Sequence, residues 1–281
     1  MKRILVPTDF SPTAEKAFRF ACDIAARSKA AVTLYHAYTP VESPLAGTEK
    51  TRQEYNQETA TTLLKQLQRL KNKVAEDYPH TSMSTVLGEG AIVSEILHFT
   101  SKAHYDLVVM GTQGVSGISK SIIGSVTARI IEKSAIPVLL IPEKYDWNEP
   151  GNIVFASNYQ PFDKAALEEI VRFAELYQAK ATVVHLYDLY EMEEEKERKK
   201  FDEYARELRE NLDNAKLDFQ FLKVSSVREA METIDKIIPC DIVAMVRSRK
   251  TFLEKLLQTS FTQNMAYLNT LPILVIPDPG K

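Results

Sequence analysis

The sequence predicts an α/β protein of two tandem doubly wound domains, each a five-stranded, mostly parallel sheet with helices on both faces. Three observations predict it. Short apolar runs alternate with longer segments of helical periodicity, in the order β-α-β-α-β-α-β-α-β. The pattern starts over near residue 152. The 281 residues suffice for two domains of ordinary size. Such alternation implies right-handed crossovers, and ligands bind beyond the carboxyl ends of the strands, where strand order reverses.

Residues 2–8, KRILVPT, read as the first strand. A turn follows at Asp9-Phe10, with Ser11 as N-cap and Pro12 at the first helical position. The helix 13–28 carries Ala14, Ala17, Phe18, Ala21, Cys22 and Ala25 at helical spacing, and these small residues suit close packing on a sheet. Residues 31–37, AVTLYHA, form the second strand. A loop over 39–47 leads to a long polar helix over 50–77, whose buried stripe is Leu63, Leu64, Leu67, Leu70 and Val74. A strand over 82–87, a helix over 91–103, a strand over 106–110, a helix over 125–133 and a strand over 138–141 complete a first domain, 1–144. Residues 144–151, with Trp147 and Pro150, read as a linker.

The second domain, 151–281, repeats the pattern. Residues 152–158 mirror the first strand, and Pro161 opens a helix over 162–178 as Pro12 did. The run 181–186 parallels 32–37, so His185 falls on His36. A highly charged helix over 191–214 follows, then a strand near 217–224, a helix over 227–238, a strand over 241–246, a helix over 252–269 and a last strand over 273–276. Charges three and four apart mark the 191–214 helix as solvated.

Composition narrows the function. A formal net charge of −3 gives no electrostatic footprint for nucleic acid. No apolar run reaches the length of a membrane span, and the first strand begins without a signal peptide, so the expected compartment is the cytoplasm. Cys22 and Cys240 form neither a metal motif nor a disulfide framework, and Cys22 on an apolar helix face reads as a buried thiol.

The stretch 111–127, GTQGVSGISKSIIGSVT, holds Gly111, Gly114, Gly117 and Gly124, four of the nine glycines in the chain. A strand, a glycine loop and a helix start in succession direct free N–H groups and the positive end of the helix dipole at one spot, which suits phosphate. Ser125 and Thr127 add hydroxyl donors, and Ser125 is also a candidate N-cap. The spacing is neither a Walker nor a Rossmann pattern, so a plain glycine-rich turn stands beside phosphate binding at this point. Asp9 and Gly111 each follow a strand end and should face one crevice.

The residues Val6-Pro7-Thr8-Asp9-Phe10-Ser11, His36, and the spacing Gly111-x2-Gly114-x9-Gly124-Ser125 resemble the universal stress protein family, over the whole chain as two copies. The resemblance implies five parallel strands per copy, and the glycine spacing is similar to that of the branch that binds ATP. It implies that Pro7, Thr8 and Asp9 line the adenosine end, with Asp9 accepting from a ribose hydroxyl and Ala37 lying against adenine. Met110, Gly111 and Gly114 would form the near wall, and Gly124, Ser125, Val126 and Thr127 would hold the phosphates of ATP, ADP or AMP, with or without Mg2+. A lone His in an apolar strand reads instead as hydrogen-bonded core, so His36 is not assigned to the site.

Placing Leu271-Pro272-Ile273 on Ile136-Pro137-Val138 and running back without a gap puts Val246 on Gly111, Arg249 on Gly114, Phe252 on Gly117 and Thr259 on Gly124. Asn158 corresponds to Asp9 and Ala156 to Pro7. The second domain is therefore expected to lack the nucleotide site. By the same resemblance, the strands 138–141 and 273–276 would pair the halves as an internal pseudo-dimer, with further homodimerisation left open. The expected role is a regulatory or stress-response nucleotide binder, with no catalytic or metal-ligating residue assigned. A slow ATPase at the same site and a nucleotide-free scaffold are the alternatives.

Overall fold

A computed structural model of the chain describes residues 1–113, 123–157, 159, 163–190, 192–212, 215–225, 229, 238–247 and 270–278. The chain divides into two compact units, Met1–Glu143 and Lys144–Lys281.

In the first unit the elements run β1 (Arg3–Pro7), α1 (Pro12–Ser28), β2 (Ala31–Tyr38), α2 (Glu49–Ala75), β3 (Met83–Glu89), α3 (Ile92–Lys102), β4 (Leu107–Gly111), α4 (Ser125–Lys133) and β5 (Val138–Ile141). The strand order is β3-β2-β1-β4-β5, with every pair parallel. The chain winds outward from β1 in one direction through β2 and β3, and in the other through β4 and β5. The reversal lies between β1 and β4, so the loops after these two strands part there.

Local chemistry sets the elements. Ser11 caps α1 by accepting the Ala14 N–H at 3.1 Å, Pro12 takes a first-turn position, and Lys29 ends the helix in the left-handed region at φ 57°. The buried face of α1 carries Ala14, Ala17, Ala21 and Ala25, which let the helix sit close to the sheet, and Phe18 and Ile24 fill the larger gaps. Cys22 is buried against Met83 Sδ at 4.0 Å, and burial pushes its thiol up to about 12. β4 and β5 are buried along their whole length, as helices on both faces require. Asp106 ties the start of β4 to β1: its Oδ2 accepts the N–H groups of Lys2 at 2.6 Å and Arg3 at 2.8 Å.

The second unit repeats this plan with β6 (Asn152–Ala156), α5 (Asp163–Glu175), β7 (Lys180–Asp188), α6 (Glu194–Asn211), β8 (Leu217–Val224), β9 (Ile242–Arg247) and β10 (Ile273–Pro277). Its strand order is β10-β9-β6-β7-β8, again parallel. Asp241 repeats the clamp of Asp106, accepting the N–H groups of Gly151 and Asn152, each at 2.9 Å. The expected Pro161 start of α5 lies outside the described residues, as do the expected helix over 252–269 and nearly all of the one over 227–238. The charged helix is α6, which buries Phe201, Ala205 and Leu208 and spends much of its charge on pairs such as Lys196–Glu193 and Lys200–Glu197.

Beneath α6 the His185 ring stacks on Tyr159 at 4.2 Å and lies near Phe201 and Phe221. Its Nδ1 bonds the Ser157 carbonyl at 3.1 Å, and Nε2 is 3.7 Å from Glu197. Burial holds the His185 pKa below its ordinary 6.5, against the opposing pull of the Ser157 bond and Glu197. Above that pH both folded and unfolded chains are neutral at this ring. As pH falls below it the unfolded chain takes the proton first, so stability drops until the folded state is protonated as well. The urea midpoint of the second unit should therefore fall between about pH 8 and pH 5, and a His185→Gln chain should fall less over the same range.

Candidate functional site

The turn after β1 builds one wall. Thr8 extends the strand pairing through its N–H to the Tyr35 carbonyl at 2.8 Å. Its Oγ1 accepts the Phe10 N–H at 3.0 Å, and Asp9 Oδ1 accepts the Ser11 N–H at 3.1 Å. These side-chain bonds fold the turn locally and hold Phe10 in the left-handed region, at φ 65°. The Phe10 ring lies 4.6 Å from the His36 ring, whose Nδ1 meets the Thr8 carbonyl at 2.7 Å. A carbonyl only accepts, so Nδ1 is the donor there. Asp9 thus serves both as a helix-start turn residue and as part of the wall. His36 makes the expected hydrogen bond, yet its half-buried ring also lines the cavity, a place the sequence did not give it.

The cavity at the β1–β4 reversal has a volume of about 170 Å3. The structure brings Pro7, Thr8, Asp9, Ala37, Met110, Gly111, Gly124, Ser125, Val126 and Thr127 together on its walls, and Gly114 lies outside the described residues. Tyr35, His36, Ala14, Ile92, Ile96 and Gln113 line it as well. Three of these had a signal in the sequence. Tyr35 is two residues from Ala37 on the same strand and so shares its face, and Ile92 and Ile96 are one turn apart at a helix start. Whole small-molecule sites usually run to roughly 300–1,000 Å3. The cavity bounded by the described residues is smaller than that, and Gln113 and Gly124 are both on its walls.

At the other wall α4 begins. Its N-cap is Gly124, not Ser125, which is the first helical residue. Gly124 N–H reaches back to the Thr112 carbonyl at 2.8 Å, and the first intrahelical bond runs from Ala128 N–H to the Gly124 carbonyl at 2.9 Å. The N–H groups of Ser125, Val126 and Thr127 precede it and have no acceptor within the helix. The Thr127 hydroxyl is not the ligand donor that the sequence suggested. It is buried and donates to the Gly111 carbonyl at 3.1 Å, fastening α4 to the end of β4. Thr127 presents its amide instead.

The two described glycines of the loop are glycine for different reasons. A Cβ on Gly111 would lie 2.8 Å from Thr13 Cγ2 and 3.3 Å from both the Thr13 carbonyl carbon and Gln113 O, so its absence lets α1 approach β4. Gly124 has φ −67°, which any residue adopts, and among the described residues a Cβ there would meet nothing nearer than Thr112 O at 3.6 Å. The helix cap is extended and needs no positive φ. Neither backbone nor packing among the described residues requires glycine at 124.

In the second unit Val246 is buried at the position matching Gly111, and Ala156 ends β6 where Pro7 ends β1. Asn158, Arg249, Phe252 and Thr259 lie outside the described residues. Among the described residues no group of three His, Cys, Asp or Glu side chains is placed to hold a metal ion, and no helix is long and apolar enough to cross a membrane.

Residues 1–142 match the model of the universal stress protein family. The chain belongs to that family. Over 145 residues it is 34% identical to a universal stress protein of Methanocaldococcus jannaschii, covering 50% of this chain and 81% of that protein. Over 146 residues it is 28% identical to a universal stress protein of Bacillus subtilis, covering 50% of this chain and 97% of the relative. The fold is also that of a universal stress protein from Archaeoglobus fulgidus, with a TM-score of 0.70 at 15% identity over 98% of both chains. A second likeness, to a protein of Pseudomonas aeruginosa described as a putative universal stress protein, has a TM-score of 0.65 at 15% identity over 100% of this chain and 94% of that one.

The glycine geometry separates the two substitutions. Gly111→Ala should lower stability by roughly 1–3 kcal/mol, as overpacking against Thr13 does. Gly124→Ala should leave stability within about 0.5 kcal/mol. Urea denaturation of the three chains side by side checks both.

Proposed function

We propose that the first unit of this universal stress protein binds an adenine nucleotide, ATP or its ADP or AMP forms, in the β1–β4 crevice. The observation that carries the reading is the α4 N-terminus. Three successive N–H groups, of Ser125, Val126 and Thr127, open beside a glycine at which a Cβ would come no nearer than 3.6 Å to any described residue. Aligned N–H groups and the positive end of the helix dipole are the standard physical recipe for phosphate. The opposite wall suits the rest of the molecule. Ala37, Ile92, Ile96 and Met110 offer apolar surface to a base. Asp9 suits ribose hydroxyls, because a carboxylate beside phosphates would repel them. Its bond to the Ser11 N–H does not exhaust a group with about four lone-pair sites. The resemblance of the glycine spacing to the ATP-binding branch points the same way.

The role we infer is regulatory binding rather than turnover. Among the described lining residues Asp9 is the one carboxylate, and the turn after β1 already employs it. Hydrolysis needs a positioned water and charge stabilisation at the γ-phosphate. The second unit, with Val246 where Gly111 stands, serves a structural part in this reading.

Isothermal titration with ATP should give one site per chain; two equivalent sites, or none, would contradict the proposal. Gly124→Val should reduce affinity by more than about tenfold, since a β-branched side chain would block the approach to the amides. Asp9→Ala should weaken binding by about 1 kcal/mol, the worth of a hydrogen bond. Phosphate release over a long incubation should stay at the level of a Gly124→Val control, and release well above it would make the protein a slow ATPase.

A further inference from the structure

Gly88 does not line the cavity, yet it touches a residue that does. Gly88 lies on β3, opposite Ala37 in the β2–β3 register. Its φ is outside the left-handed region, so its backbone alone would admit any residue. Space is what forbids one. A Cβ on Gly88 would lie 1.9 Å from Tyr35 Oη and 2.7 Å from Cζ, where real Cβ contacts do not fall below 3.0 Å. Tyr35 is 1% exposed, and its ring stacks on Phe99 of α3 at 4.7 Å with 23° between the planes. The phenol tip is thus seated in the notch at Gly88, and Phe99 covers one ring face. Tyr35 also lines the cavity.

We propose that Gly88 is a positioning residue for the ligand cavity: by receiving the Tyr35 hydroxyl it keeps the ring back on the sheet and holds the base end open. The identity of the ligand rests on the nucleotide reading above, whereas the geometry does not. A side chain at 88 strikes a rigid ring whose tip has about 1 Å of overlap to relieve. The ring cannot move through Phe99, so it turns into the cavity and occupies the volume that a base would take.

The test is a double-mutant cycle read by ATP titration, with thermal melting alongside. Gly88→Ala should reduce affinity by about tenfold or more. In a Tyr35→Leu background, where no ring or hydroxyl remains to displace, Gly88→Ala should change affinity by no more than about twofold. A crystal structure of the Gly88→Ala chain should show the Tyr35 ring turned into the cavity. Equal losses in both backgrounds would overturn the proposal, as would a ring left in place with affinity unchanged. If Gly88→Ala does not fold, recovery of folding on adding Tyr35→Leu supports the contact, and no recovery refutes it. If the unaltered chain binds no nucleotide, the crystal structure alone decides: either the ring enters the cavity, or β3 shifts to make room and the proposal fails.

Discussion

The first unit depends on the parallel pairing of β1 with β4. Main-chain register sets Ile4 beside Leu107 and Leu5 beside Val108, and the Asp106 carboxylate locks the entrance of the pair by taking two N–H groups of β1. With both strands buried and pointing the same way, their following loops leave the sheet at the same end. One turns toward α1 and the other toward α4, on opposite faces, because the winding reverses at this pair. No side chain has to be hollowed out to make the crevice. It is the space that two diverging connections cannot fill, and the turn at Asp9 and the start of α4 are its two sides.

What the crevice offers follows from how its edges satisfy their own hydrogen bonds. The turn after β1 is closed by side chains: Thr8 and Asp9 each take an N–H two residues on, and His36 takes the Thr8 carbonyl. The β4–α4 side is closed differently, through the Thr127 hydroxyl on the Gly111 carbonyl and Gly124 N–H on the Thr112 carbonyl. After those bonds, the three amides at the head of α4 still have no acceptor within their own helix. A helix with an Asp, Ser or Thr cap would satisfy one of them from within. A glycine cap satisfies none, so the positive end of the helix stays available to an anion.

Much of this was legible in the sequence because it depends on periodicity and on residue type at strand ends. Alternation of apolar runs with helical stripes gave the winding, and the winding put Asp9 and Gly111 at one crevice. The parts that were not legible depend on distances between segments remote in sequence. Gly111 looks like a ligand-facing glycine, but Thr13, on a different element, is what forbids a side chain there. Thr127 looks like a free hydroxyl until β4 supplies its acceptor. Tyr35 shares a strand face with Ala37, yet its role depends on where its hydroxyl ends, over a strand that begins about fifty residues later.

The two halves, laid on one another, divide what the fold needs from what a ligand needs. Both keep a carboxylate clamp on the first strand, Asp106 and Asp241. Both keep a hydroxyl residue whose Oγ takes the N–H two residues on, an aromatic residue at positive φ, and a histidine beneath it bonded to the hydroxyl residue's carbonyl. That repeated turn is a folding device, since it fastens the residues just after the first strand in each unit. The surroundings of the histidine then differ. His185 is buried among Tyr159, Phe201 and Phe221, and burial lowers its pKa. His36 keeps one side on an open cavity. The duplicated turn has thus been packed with aromatic side chains in one unit and left against a cavity in the other, and the second arrangement is the one that stands beside Gly111 and Gly124.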